Sequence, residues 1–299
     1  ALYPTHFFIQ NIKNMNAINF TRLGHLLKLD LVQNRKKYLQ FSLGLLLGHL
    51  MIQYFAFHRV WSIEWDIKKY GMEHAMYNLS QDLSSSIFFF FGVVICIAMS
   101  SLFNHLPEKI NRTYYLMLPA SNAEKVLSRA IICLGIVPVM FLVTLVGADL
   151  IRMLIYPMSG TYIGTMLPLI FKETWTAIST FFSILFQTSS EWRLLDVRMP
   201  WFVVGFSFWG LSCFALGSIV FRRRAFIFTF ITLVVLFVAF SLVATHLPGS
   251  FRLHYSRPTL YVLDIVFIIL FNVAAVAQFW LTWRLFTRIQ VIPRKLFGK

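Results

Sequence analysis

Long apolar runs bounded by basic residues constrain this chain more than any other feature. Residues 38–61, 83–106, 130–151, 201–221, 225–247 and 259–286 carry few charges. A bilayer core about 30 Å thick needs roughly 20 apolar residues in a helix, so each run is long enough to cross. That core holds no water to satisfy backbone groups, so crossing segments of this kind must be helical. A hydrophobic fraction of 58% against 13% charged residues separates the chain from soluble domains. The expected fold is therefore all-α and polytopic, with six transmembrane helices.

The charges give these helices an orientation. With the N-terminus inside, six spans leave 18 of the 27 basic residues on the inner side, among them Arg35, Lys36, Lys37 and the triplet Arg222, Arg223, Arg224. Seven acidic residues fall outside and three inside. This sorting follows the positive-inside rule. It also accounts for the net charge of +15 without a nucleic-acid groove, so no nucleic-acid partner is expected. Residues 174–190 carry no charge, but Thr174, Thr176, Ser179, Thr180 and Ser183 interrupt them. A seventh span there would carry the arginine triplet outside, so the segment is read as an interfacial or re-entrant helix.

Residues 1–37 form an N-terminal cytoplasmic segment and 38–299 the transmembrane domain. Phe20, Leu23, Leu27 and Leu31 recur at helical steps beside Arg22, His25 and Lys28. That pattern predicts an amphipathic interfacial helix whose basic residues meet anionic lipid. Residues 1–14 lack the apolar core and small-residue cleavage site of a signal peptide, and Met15 is a candidate start.

Within the spans, Gly44 and Gly48 form G-x-x-x-G, which either admits a close neighbour or is simply tolerated in lipid. Pro138 predicts a kink in the third span. Asp149 and Arg152, three apart, can pair on one helix face near the outer surface, where water reaches them at modest cost. Asp264 also lies near the outer end of its span, and Asn272 and Gln278 lie deeper, placed to line a polar path or to bond between helices. His49 reads as a packed, hydrogen-bonded histidine. Cys96, Cys133 and Cys213 all fall in apolar runs, so neither a disulfide nor a metal site is expected.

Between the second and third runs stands N-R-T-Y-Y-L-M-L-P-A-S-N-A-E-K-V-L-S-R-A, residues 111–130. Pro119 disfavours helix at Leu118, and Ser121 with Glu124 forms the S-x-x-E capping box, so a helix is predicted to begin at about Asn122. Lys125 and Arg129 flank its polar side, and the run beyond makes it a rigid stub projecting on the third span. The alternative is an amphipathic cytoplasmic loop of an unrelated membrane protein, capped as any helix is. This stretch resembles the ABC-2 type permeases, the membrane subunits of bacterial ATP-driven exporters. The match rests on Arg112, Thr113, Leu116, Leu118, Pro119, Ser121 and Glu124. Many members have Gly before the Thr, where this chain has Arg112.

The resemblance implies a coupling helix seated on an ATPase subunit, with Arg112, Thr113, Leu118, Pro119, Ser121, Glu124 and Lys125 as its coupling residues. It also implies a second permease chain, identical or different, and a location in the bacterial inner membrane with both termini cytoplasmic. The chain has no G-x-x-x-x-G-K-[ST], so ATP and Mg belong to a partner and no cofactor is assigned to this chain. Neither G-x-S-x-G nor H-E-x-x-H is present, and the chain is read as a transport subunit rather than an enzyme. Two alternatives stand beside it: a membrane scaffold or assembly subunit, and an intramembrane enzyme acting on lipid through Asp149, Arg152 or Asp264.

Overall fold

The structure, a computed structural model, describes residues 18–58, 68–69, 71–103, 120–155, 165–186, 194–221, 224–246 and 257–289. Regular structure among them is entirely helical. In chain order the principal elements are α1 (Phe20–Gln33), α2 (Arg35–His58), α3 (Met72–Ser100), α4 (Asn122–Ile131), a π-helical turn (Ile132–Ile136), α5 (Val137–Ile155), α6 (Leu167–Phe186), α7 (Leu194–Val220), α8 (Ala225–His246) and α9 (Arg257–Ile289).

Five helical stretches among the described residues are long and apolar enough to cross a membrane: Arg35–Ala56, Tyr77–Ser100, Asn122–Ile155, Phe202–Val220 and Ile265–Arg288. The expected fifth span supplies the shorter apolar stretch Ala225–Ala239. These helices mark a multi-pass membrane protein. Large apolar side chains such as Leu43, Leu47, Phe89, Val143 and Phe237 face outward, as a lipid solvent allows.

The helix of the second run departs from its expected bounds. It begins at Met72 and its last helical residue is Ser100, with residues 101–103 in a turn and 104–106 outside the described residues. Ser80, Gln81 and Asp82, which precede the expected span at 83–106, lie within the helix. The Ser80 hydroxyl donates to the Tyr77 carbonyl at 2.8 Å, so a short polar side chain is satisfied by its own helix and does not end it. The segment expected at 174–190 belongs to a helix that starts earlier, at Leu167, and takes in Lys172 and Glu173. Residues 187–190 lie outside the described residues.

The chain divides into two compact units, one of residues 1–95 and 120–181, the other of residues 96–119 and 182–299. In the first unit α2 packs along α5, and α1 packs on α4. The His49 imidazole meets the rings of Phe90 and Phe141 edge-on at 5.2 and 4.5 Å, and Phe91 packs on Phe141 at 5.0 Å. Only one glycine of the G-x-x-x-G serves a close approach. A Cβ on Gly48 would stand 2.5 Å from the Phe90 ring, whereas Gly44 faces open space.

Pro138 has no N–H to offer, and its ring disfavours the regular turn before it. The chain answers with the π-helical turn, in which Val137 N–H donates to the Ile132 carbonyl. The helix continues through α5 instead of breaking.

In the second unit α7 packs along α9 and against α8. Phe202, Phe206 and Trp209 of α7 surround Phe271 of α9, with ring centroids 5.4–5.7 Å apart. Gly217 of α7 is required where α8 comes closest, because a Cβ there would overlap the Thr229 side chain. Arg224, before α8, takes a φ of +53°, a left-handed conformation that β-carbon sterics disfavour.

Candidate functional site

The site forms where α1 meets α4, and one carboxylate organises it. Ser121 is the N-cap of α4 and completes the expected capping box: Glu124 N–H donates to Ser121 Oγ at 3.2 Å, and Ser121 N–H donates to Glu124 Oε2 at 2.8 Å. Asn19 caps α1 in turn, its Oδ1 accepting from the Thr21 and Arg22 N–H groups at 2.9 and 3.4 Å. The Asn19 backbone N–H, left over at that cap, donates to Glu124 Oε1 at 2.7 Å. Arg22 Nη2 lies 3.1 Å from the same oxygen. Thus two helix N-termini, each carrying partial positive charge, share a single carboxylate.

Glu124 is fully buried. Burial alone pushes its carboxyl pKa up, but the N–H groups of Asn19 and Ser121 and the Arg22 guanidinium outweigh burial and hold it below its ordinary value. Lys125 beside it is also buried, which lowers the pKa of its ammonium. Both residues precede the apolar part of this helix, which opens after Arg129.

A second contact closes the other end of α1. Arg129 grips Asp30 with two parallel bonds, Nη1 to Oδ2 at 3.1 Å and Nη2 to Oδ1 at 2.7 Å. Bidentate geometry of this kind is the strongest a carboxylate accepts. Tyr38 Oη donates to Asp30 Oδ2 at 2.8 Å and Asn34 Nδ2 donates to Asp30 Oδ1 at 2.8 Å. One acid therefore joins α1, α4 and the first turn of α2.

The expected projecting stub does not stand clear. Every residue of α4 is buried or partly buried, and Lys125 and Arg129, placed by sequence on an open polar side, lie against α1 or within the fold. Of the residues singled out for coupling, Ser121, Glu124 and Lys125 come together here. Arg112, Thr113, Leu118 and Pro119 lie outside the described residues.

The intramembrane polar residues are distributed elsewhere. Asp149 and Arg152 do pair, with Nε to Oδ1 at 2.9 Å and Nη2 to Oδ1 at 2.8 Å, and Thr165 Oγ1 donates to Asp149 Oδ2 at 2.9 Å. They are 1% and 3% exposed, so the pair is enclosed by protein, not bathed by water as its position near a helix end suggested. Twenty residues separate Arg129 from Asp149, about 30 Å at 1.5 Å per residue, which matches the hydrocarbon thickness. The two ionic clusters thus bracket one apolar stretch.

Gln278 bonds between helices: its Oε1 accepts from Ser212 Oγ at 2.6 Å and from Cys213 Sγ at 3.3 Å. Asn272 Nδ2 donates to the Ile268 carbonyl of its own helix at 2.8 Å. The Asp264 side chain lies outside the described residues.

Asn19, Arg22, Asp30, Asn34 and Tyr38 escaped the sequence reading of the site. One signal was available, since Asp30 is the sole acid among the first 37 residues, six of which are Lys or Arg. A lone acid in such company calls for a cationic partner. Comparison with known proteins assigns no relative: no family model, no curated protein and no solved structure matches this chain.

Proposed function

We propose that the chain is the membrane subunit of an ATP-driven exporter of ABC-2 type, with six spans, an interfacial α1 and both termini in the cytoplasm. The observation that carries this reading is the Glu124 latch. A capped helix continuous with a membrane helix is clamped to a second helix by a buried carboxylate and a bidentate ion pair, so force applied to it passes into the spans without local melting. The resemblance of residues 111–130 to the coupling loop and the sorting of basic charge support the same placement.

In this reading the ATPase seats on Arg112, Thr113, Leu118 and Pro119 and on the cap at Ser121. Glu124, with Lys125 beside it, sets the position of the helix through α1. ATP and Mg are held by the partner, and a second permease copy or homologue completes the assembly. The bacterial inner membrane is its setting.

The test is extraction from the native membrane in mild detergent followed by mass spectrometry of what copurifies. A near-stoichiometric protein bearing a Walker A motif is the expected result. Its reproducible absence would sink the transport reading in favour of the scaffold, and lipid turnover by the purified chain alone would favour the enzyme.

A further inference from the structure

Two buried acceptor atoms on α2, in the first unit, meet no hydrogen-bonding group among the described residues: His49 Nε2 and Gln53 Oε1. Their residues are 1% and 3% exposed. They stand four apart on α2, hence one turn apart on the same face.

The chemistry of each atom follows from its neighbours. His49 Nδ1 lies 2.8 Å from the Leu45 carbonyl oxygen, which can only accept, so Nδ1 carries the ring hydrogen and the neutral ring presents a bare lone pair at Nε2. Thr144 Oγ1 is 3.5 Å from that same Nδ1 and bonds the Met140 and Phe141 carbonyls at 3.0 and 2.9 Å, so it does not serve Nε2. Gln53 Oε1 is a second acceptor. Phe90 and Phe141 set aromatic edges around the imidazole. The result is two open acceptors on one face of α2 beside aromatic edges, in the part of the chain where solvent is lipid.

We propose that His49 and Gln53 form a binding site for the hydroxyl group of an uncharged amphiphile. A donor is demanded because both open atoms accept. Neutrality is demanded because Asp149, the acid on the facing helix α5, has its oxygens committed to Arg152 and Thr165, so a buried ammonium would meet no free counter-charge. An apolar body suits the phenylalanine rings and the surrounding lipid. The site stands independently of any ATPase partner.

The experiment places the full chain, labelled with [15N]histidine, in phosphatidylcholine nanodiscs and titrates it with 1-dodecanol. Dodecyl methyl ether, which has no donor, is the control. His49→Phe identifies the His49 resonance, and His49→Asn replaces it if the first variant does not assemble. A saturable dodecanol-dependent shift of the His49 Nε2 signal, absent with the ether, is expected. Gln53→Leu should raise the half-saturating concentration about tenfold, the value of one hydrogen bond. A signal already displaced by water and insensitive to dodecanol would overturn the proposal, as would an identical response to alcohol and ether.

Discussion

Glu124 holds three groups at once, the N–H donors of two different helix starts and one guanidinium. Glu124→Gln keeps the shape but replaces one acceptor oxygen with a donor, facing groups that only donate. A loss of about 1–3 kcal/mol is expected, read as a lower thermal midpoint of the purified chain. An unchanged midpoint would count against the latch. The pH dependence has a definite sign. A carboxyl held below its ordinary pKa contributes stability that is present above about pH 4.3 and lost as pH falls through the lower folded value. The wild-type chain should therefore lose stability across that acidic interval more steeply than Glu124→Gln. For Asp30 and Arg129 the loss should be larger, because removing one partner strands a buried charge. Asp30→Asn or Arg129→Leu should each cost about 3–5 kcal/mol, and the double variant less than their sum.

At the scale of elements, α1 and α4 are one mechanical piece. Hydrogen exchange should show their amides protected together. In Asp30→Asn both should lose protection together, while α7, packed on α8 and α9 in the other unit, keeps its own. Loss confined to α1 would mean that α4 is held by something else. The helix starts illustrate what sequence discloses. The capping box at Ser121 lies within four residues, so its chemistry is local and the start at Asn122 could be read directly. The bonds from Asn19 to Glu124 and from Arg129 to Asp30 join positions 105 and 99 residues apart, and no local pattern specifies them. The bounds of α3 misled for a different reason. Hydropathy counts Ser80 and Gln81 as polar, yet a membrane helix extends through such residues when their groups find partners on the helix itself.

For the whole molecule, the spacing of apolar runs made the all-helical, multi-pass architecture legible, since lipid leaves the backbone few other choices. The number of crossings rests on charge sorting, and labelling tests it. With Cys96, Cys133 and Cys213 replaced, single cysteines at Lys36, Asp66, Asn122 and Arg224 should sort into two classes toward a membrane-impermeant maleimide applied to intact cells. Position 66 should react at once, and positions 36, 122 and 224 only after the membrane is opened. Reaction of position 224 with position 66 would require an odd number of crossings between Asn122 and Arg224, and so one more or one fewer than the six-span arrangement has there.

The shared carboxylate also sets an order of events during synthesis. Asn19 leaves the ribosome 105 residues before Glu124, a gap of roughly 5–20 s at 5–20 residues per second. During that interval α1 has neither its acceptor at Asn19 nor the guanidinium that secures Asp30, and only the arrival of the third span supplies both. Helix α1 is therefore finished only after later segments are made, and a ribosome stalled before Glu124 is made should leave α1 open to protease while α2 is already in the bilayer.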